Sequence, residues 1–336
     1  MDIERLHGGT CAPPFPIYDD LVARFLAAHP PRETPTIASR DPAIAHALAT
    51  CAGYAYSDAK TVASTMAGLG LGGGACVRVA QVVDAMFVFS TAYLVQSACG
   101  RVVVLCYRGT EATNLGNWLG NADVGPDAVA LAGEQAGFHS GFYRNLRTTR
   151  RIVIDELKHA IEGRSLADPS RRVEHPMEAL YLTGHSLGGA MAVLFAVSTA
   201  GNPETAAIAE RLRAVYTYGQ PMALAEPLTT TARTVGQRVF RHVMGRDVIP
   251  ALPPAQAGNF AHVGHEYVHA DGEWHRADTP VSQLKNIRDI SGSLLSAIAT
   301  PKRAASSRYA LGDHGPHRYI GALRPADRIT EFGDWS

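Results

Sequence analysis

Apolar positions recur along this chain in two rhythms, and the alternation between them predicts the fold class. Short, largely apolar runs at 87–96, 101–107 and 179–183 read as strands, the last of them buried, and 214–218 and 238–244 read as further strands that end in loop residues. Ser97-Ala98-Cys99-Gly100 joins the first two as a hairpin-like connection. Between the runs lie stretches with helical spacing. Residues 41–69 carry Ile44, Ala47, Leu48 and Cys51 on one face, and 142–162 carry Leu146, Ile152, Ile154, Leu157 and Ile161. A third, alanine-rich stretch starts at Met191 and meets no breaker until Gly201. Strands alternating with helices predict an α/β protein: a mostly parallel central sheet with helices on both faces.

The ends of the chain are less regular. Residues 1–40 are rich in proline, with one helical segment at 21–26, and are expected to form an extended arm ahead of one domain over 41–336. The glycine-rich stretch 69–74 lacks the lysine-serine ending of a phosphate-binding loop and reads as a plain loop. Val281, Leu284, Ile287, Ile290, Leu294 and Ile298 form an apolar stripe. Residues 276–312 are therefore expected to be a helical insertion, either packed on the core or serving as a cap over a binding pocket.

One segment carries chemistry. Gly184-His185-Ser186-Leu187-Gly188 stands between the apolar run at 179–183 and the alanine-rich helical stretch. Strand, tight turn with a serine, then helix is the layout of a nucleophile elbow, and glycines on either side let strand and helix pass closely. A serine hydroxyl needs a base, and the base needs an acid to orient it, in the chain order serine, acid, histidine. Asp247 follows the run at 238–244 and is the first candidate for the acid, with Asp271, Asp278 and Asp289 as rivals. His314 is the first candidate for the base and His317 the alternative. The backbone N–H of Leu187 and a donor from Tyr107-Arg108-Gly109-Thr110, with Thr110 first, are candidates for the oxyanion hole. His262, His265, His269 and His275 read as ordinary histidines rather than metal ligands, and the chemistry calls for no metal and no organic cofactor.

Composition narrows the partners. Thirty-one basic residues balance thirty-one acidic ones, so no overall field draws the chain to nucleic acid. No run approaches eighteen consecutive apolar residues, so no transmembrane segment is expected. Five cysteines, without a Cys-x-x-Cys pair, leave one unpaired in any disulfide scheme. With an N-terminus that lacks a basic patch and an apolar core, they lead to the expectation of a reducing, cytoplasmic location.

Taken in order, several segments resemble the class 3 lipase family of α/β-hydrolases, which includes fungal triacylglycerol lipases. They are Tyr107-Arg108-Gly109-Thr110, Asn117-Trp118 with Asp123, Phe138-His139-Ser140-Gly141-Phe142, the elbow, Tyr218-Gly219-Gln220-Pro221, and the proline-rich run from Asp247 to Pro254. The resemblance covers roughly 41–275 and the loop of His314. It implies an α/β-hydrolase fold, a triad of Ser186, Asp247 and His314, and an oxyanion hole at Thr110 and Leu187. The implied activity is cleavage of lipid acyl esters at a lipid–water surface. A phospholipase A1, a short-chain carboxylesterase and a non-catalytic binding module remain open. The resemblance also makes 111–127 a second candidate for a lid.

Overall fold

Nine strands form the sheet that organises the molecule, in the order β1-β2-β3-β4-β7-β8-β10-β12-β13. They are β1 (Asp2–His7), β2 (Ala75–Val83), β3 (Val88–Gln96), β4 (Val102–Tyr107), β7 (Ala179–His185), β8 (Leu212–Tyr218), β10 (Val239–Met244), β12 (His265–Ala270) and β13 (Glu273–Arg276). This computed structural model describes residues 1–7, 16–31, 39–86, 88–110, 125–285 and 311–332. The five central strands, β4 to β12, pair in parallel, and the strands outside them pair antiparallel. A smaller antiparallel sheet joins β5 (Pro126–Leu131), β6 (Glu134–His139), β9 (Leu224–Ala225) and β11 (Phe260–Ala261).

Strand β4 is apolar from Val102 to Tyr107 because both faces are covered, as parallel sheets require. Along β4, Val103, Leu105 and Tyr107 enter one core while Val102, Val104 and Cys106 enter the other, the two-residue alternation of a strand. The first core is closed by α4 (Ser140–Ile161) and α5 (Leu187–Ala200). Every residue of α5 from Leu187 to Thr199 is buried, which explains why this helix shows no polar face in the sequence. The second core is closed by α1 (Leu21–Ala27), α2 (Pro42–Tyr54), α3 (Ala59–Met66) and α8 (Pro316–Leu323). Two short helices, α6 (Ala206–Arg211) and α7 (Thr230–Gly236), lie in the connections after α5 and after β9.

The five expected strands and the long helix at 140–161 are present, each within a few residues of its expected limits. Three readings need correction. The N-terminal arm supplies edge strand β1 as well as α1, and Arg5 ties that strand to α4 through a 2.6 Å ion pair with the buried carboxylate of Glu156. The helical stretch at 41–69 is two helices, because Asp58 caps a new one by accepting from the Thr61 N–H at 2.7 Å. Part of the expected glycine loop is a wide helical turn at Ala67–Leu71. Of the expected insertion at 276–312, residues 286–310 lie outside the described residues, as do 111–124 of the rival lid segment.

The stretch that leads toward 286 is fastened to the sheet. Val281 N–H donates to Glu266 Oε1 at 2.9 Å, and Glu266 Oε2 receives Arg241 Nη1 at 2.8 Å. Both partners of that pair are at most 2% exposed. Removing one charge strands the other in the core, which typically costs about 3–5 kcal/mol. Glu266→Ala should therefore lower the unfolding free energy in urea by that amount. The double change Arg241→Met with Glu266→Leu should recover most of the loss, as measured by the same unfolding curves.

Candidate active site

Ser186 sits in the turn from β7 to α5 with φ 57° and ψ −129°, a conformation that costs a non-glycine residue about 1–3 kcal/mol. The turn is held from both sides. A Cβ on Gly188 would collide with the carbonyl of Tyr107, and one on Gly184 would collide with the backbone of Gly188. Strand, elbow and helix therefore pack backbone to backbone against the end of β4, whose Tyr107 pairs with Gly184. The Ser186 N–H donates to Tyr218 O at 2.9 Å, which adds β8 to the clamp. The hydroxyl is buried and makes no hydrogen bond among the described residues. Leu187 opens α5, so its N–H belongs to the helix end that has no carbonyl partner within the helix.

The candidate acid and the candidate base meet beside this turn. Asp247 lies in the loop after β10, and its Oδ2 receives a 2.8 Å hydrogen bond from Nδ1 of His314, which ends a short helical turn at Leu311–His314. Gly219, with φ 58°, lies beneath the pair; a Cβ there would stand 2.7 Å from Asp247 Oδ2 and 2.8 Å from the His314 ring. The imidazole thus turns its Nδ1 edge to the carboxylate, and Nε2 is left as its second nitrogen. Ser186 Oγ and that Nε2 do not share a hydrogen bond in this structure.

Asp247 is fully buried, and burial alone would raise its pKa. The facing His314, hydrogen bonds from His314 and Tyr319, and the Ile249 N–H outweigh burial and hold the carboxyl below its usual range. The Tyr319 hydroxyl donates to Asp247 Oδ2 at 2.6 Å and accepts from Met244 N–H at 3.1 Å.

Sequence reasoning missed three of these neighbours. They are Tyr319, His185 and Tyr56. His185, next to the serine, points the other way: its Nε2–H donates to the carbonyl of His314 at 2.7 Å, and its Nδ1 accepts from the Tyr56 hydroxyl at 2.9 Å. A carbonyl can only accept, which assigns the tautomer. Burial, then the proximity of His314, push the His185 pKa down to about 3, so the ring is neutral. Its centroid is 4.4 Å from that of His314. Local spacing carries no sign of such contacts, which join positions 129 residues apart.

The remaining candidates fall as follows. Thr110 is half-buried at the end of the segment after β4, where Gly109 packs against the Tyr56 hydroxyl and the carbonyl of His185. His317 is exposed near the start of α8, and Asp271 and Asp278 are exposed as well. Asn117, Trp118, Asp123 and Asp289 lie outside the described residues. His262 bonds Pro250 O at 2.8 Å, His265 receives Arg276 Nη2 at 2.9 Å, and His269 packs on Trp274. Among the described residues no three metal-ligating side chains converge.

Residues 104–257, from within β4 to beyond Asp247, match the family model described as Lipase (class 3). Over that segment the chain is similar to the class 3 lipase family. A Rhizomucor miehei lipase is 26% identical over 200 residues, 58% of this chain and 49% of that protein. A secreted mono- and diacylglycerol lipase of Fusarium solani is 28% identical over 196 residues, 58% of this chain and 51% of the relative. The chain thus spans about half the length of these relatives. The solved Rhizomucor miehei lipase–propeptide complex superposes with a TM-score of 0.54 over 81% of this chain and 78% of that one, at 20% identity. A second structure, titled as showing that a serine protease triad forms the catalytic centre of a triacylglycerol lipase, gives 0.50 over 81% and 91%, at 19% identity. Both establish the α/β-hydrolase fold.

These relatives overturn the cytoplasmic expectation: the Fusarium protein is named as secreted. The cysteines do not argue otherwise. Cys51, Cys76 and Cys106 are buried in the second core, where packing as small apolar side chains accounts for them in any compartment.

The depressed Asp247 gives a signed expectation for acid stability. A carboxyl with a lowered folded-state pKa contributes stability above its unfolded value, about 3.9, and that contribution disappears as pH falls through the folded value. Tyr319→Phe removes a hydrogen bond to the charged form, worth about 1.5–3 kcal/mol. Urea unfolding should show that loss near pH 7, and the gap between variant and parent should narrow below about pH 4 as the carboxyl protonates.

Proposed function

We propose that this chain is a serine ester hydrolase that cleaves lipid acyl esters through an acyl-enzyme, with Ser186 as nucleophile, His314 as base and Asp247 as the orienting acid. The observation that carries the reading is the buried 2.8 Å contact between His314 Nδ1 and Asp247 Oδ2 next to a strained elbow serine at a helix N-terminus. The neighbour whose title names a serine protease triad in a triacylglycerol lipase supports it by analogy.

His314 Nε2 takes the proton of Ser186 as Oγ adds to the ester carbonyl, while Asp247 stabilises the imidazolium that forms. The oxyanion is received by the N–H of Leu187 and by Thr110, donors each worth about 3 kcal/mol. Collapse breaks the bond to the alcohol oxygen, and His314 returns the proton to that leaving group. Water, activated by the same imidazole, then adds to the acyl-serine and releases the fatty acid with Ser186 restored.

Ser186→Ala should abolish turnover of p-nitrophenyl esters and labelling by a fluorophosphonate probe. Asp247→Asn should lower kcat by about 10⁴, since the tautomer that presents Nε2 is no longer enforced. Full turnover by either variant would remove the proposal. Rates of the parent chain on triglyceride, phosphatidylcholine and short soluble esters then assign the substrate class.

A further inference from the structure

The β2–β3 hairpin overhangs the edge of the sheet that carries the candidate active site. Ala92 of β3 pairs with Tyr107, the last residue of β4, and Tyr107 pairs with Gly184, two residues before Ser186. The β2–β3 ladder continues past that level to the pair Val83 and Val88. Four further residues at about 3.3 Å each carry the hairpin about 13 Å beyond the end of β4. Laterally β3 is two strands from β7, about 10 Å away.

Three residues of the tip are apolar and exposed. Val82 is 56% and Met86 57% exposed, and Ala85 between them is exposed too. Single exposed hydrophobes are ordinary, but two large ones on one protruding tip call for an explanation. The stem is firmly held against α4: Phe89 N–H donates to Asn145 Oδ1 at 2.8 Å, and the Ser90 and Thr149 hydroxyls bond at 2.9 Å. The tip is thus presented by a braced support. Between Val79 and Val88 the only charged residue is Asp84, with no lysine or arginine. Such a tip has nothing to offer an anionic headgroup, and its chemistry fits an uncharged apolar surface.

We propose that Val82 and Met86 form an interfacial anchor, inserting into the surface of an uncharged ester-lipid aggregate and holding the Ser186 edge of the sheet against it. The proposal rests on the ester-hydrolase reading for its choice of surface, and its test separates the two. Val82→Ser with Met86→Ser is introduced into the full chain carrying Ser186→Ala, and flotation with phosphatidylcholine-coated triolein droplets is measured. Partition should fall about ten- to hundredfold relative to Ser186→Ala alone, with little change at high salt. With Ser186 intact, the double variant should hydrolyse soluble p-nitrophenyl butyrate at the parent rate and emulsified triolein more slowly. Equal flotation of the two proteins overturns the anchor. So does binding that salt abolishes, or a lipid-free change from dimer to monomer on substitution, which would make the tip a contact between copies of this chain. If the parent chain cleaves neither ester yet flotation still depends on Val82 and Met86, the hydrolase reading falls and the anchor stands.

Discussion

Backbone contact between the elbow and the end of β4 is the constraint on which the site depends. Gly188 rests directly on the Tyr107 carbonyl and Gly184 on Gly188, so the nucleophile turn and the segment leading to Thr110 share one rigid contact. A side chain at either glycine would push the two apart. The strained Ser186 survives because the structure around it is over-determined: a β-strand, a fully buried helix and a hydrogen bond from its own N–H to Tyr218 all fix the same turn. The same contact brings the N-terminus of α5 and the segment after β4 together beside the elbow.

His314, the proposed base, reaches this point from far along the chain, and its position is fixed by three kinds of contact. Asp247 holds the ring by Nδ1, His185 holds the His314 carbonyl, and Gly219 leaves the space in which ring and carboxylate meet. Burial and the nearby His314 keep the His185 ring neutral, which leaves its Nδ1 free to accept from the Tyr56 hydroxyl. Tyr319 completes the set from the helix that follows His314, so both side chains that bond Asp247 Oδ2 come from one short stretch of chain.

Local pattern carried the elbow, the five buried strands and the candidate acid, because each is written in a few consecutive residues. A glycine turn between an apolar run and an alanine-rich helix has few other readings, and Asp247 follows its strand directly. What escaped the sequence is non-local. Strand β1 reads as polar because it lies at a sheet edge, and the β5–β6 hairpin belongs to a second sheet whose partners come from β9 and β11. Tyr56, His185 and Tyr319 have no distinguishing spacing, and only the folded chain brings them to one place.

The two faces of the sheet differ in a way that bears on how the base is positioned. Under α4 and α5 the core is mostly aliphatic and aromatic, with the Ser90–Thr149 and Phe89–Asn145 bonds added at one end. The opposite face carries tyrosines whose hydroxyls bind the backbone of the covering segments: Tyr181 donates to Phe25 O at 2.7 Å, Tyr218 donates to Ala45 O at 2.6 Å, and Tyr216 accepts from Asp41 N–H at 3.0 Å. An aliphatic core fixes a helix by shape alone, whereas these bonds fix its height along the sheet as well. Helix α2, so registered, packs against α8 through Gly53 and Ile320. Since α8 follows His314 directly, the tyrosine face sets the level at which the imidazole meets Asp247, and the N-terminal segments become part of the support of the site.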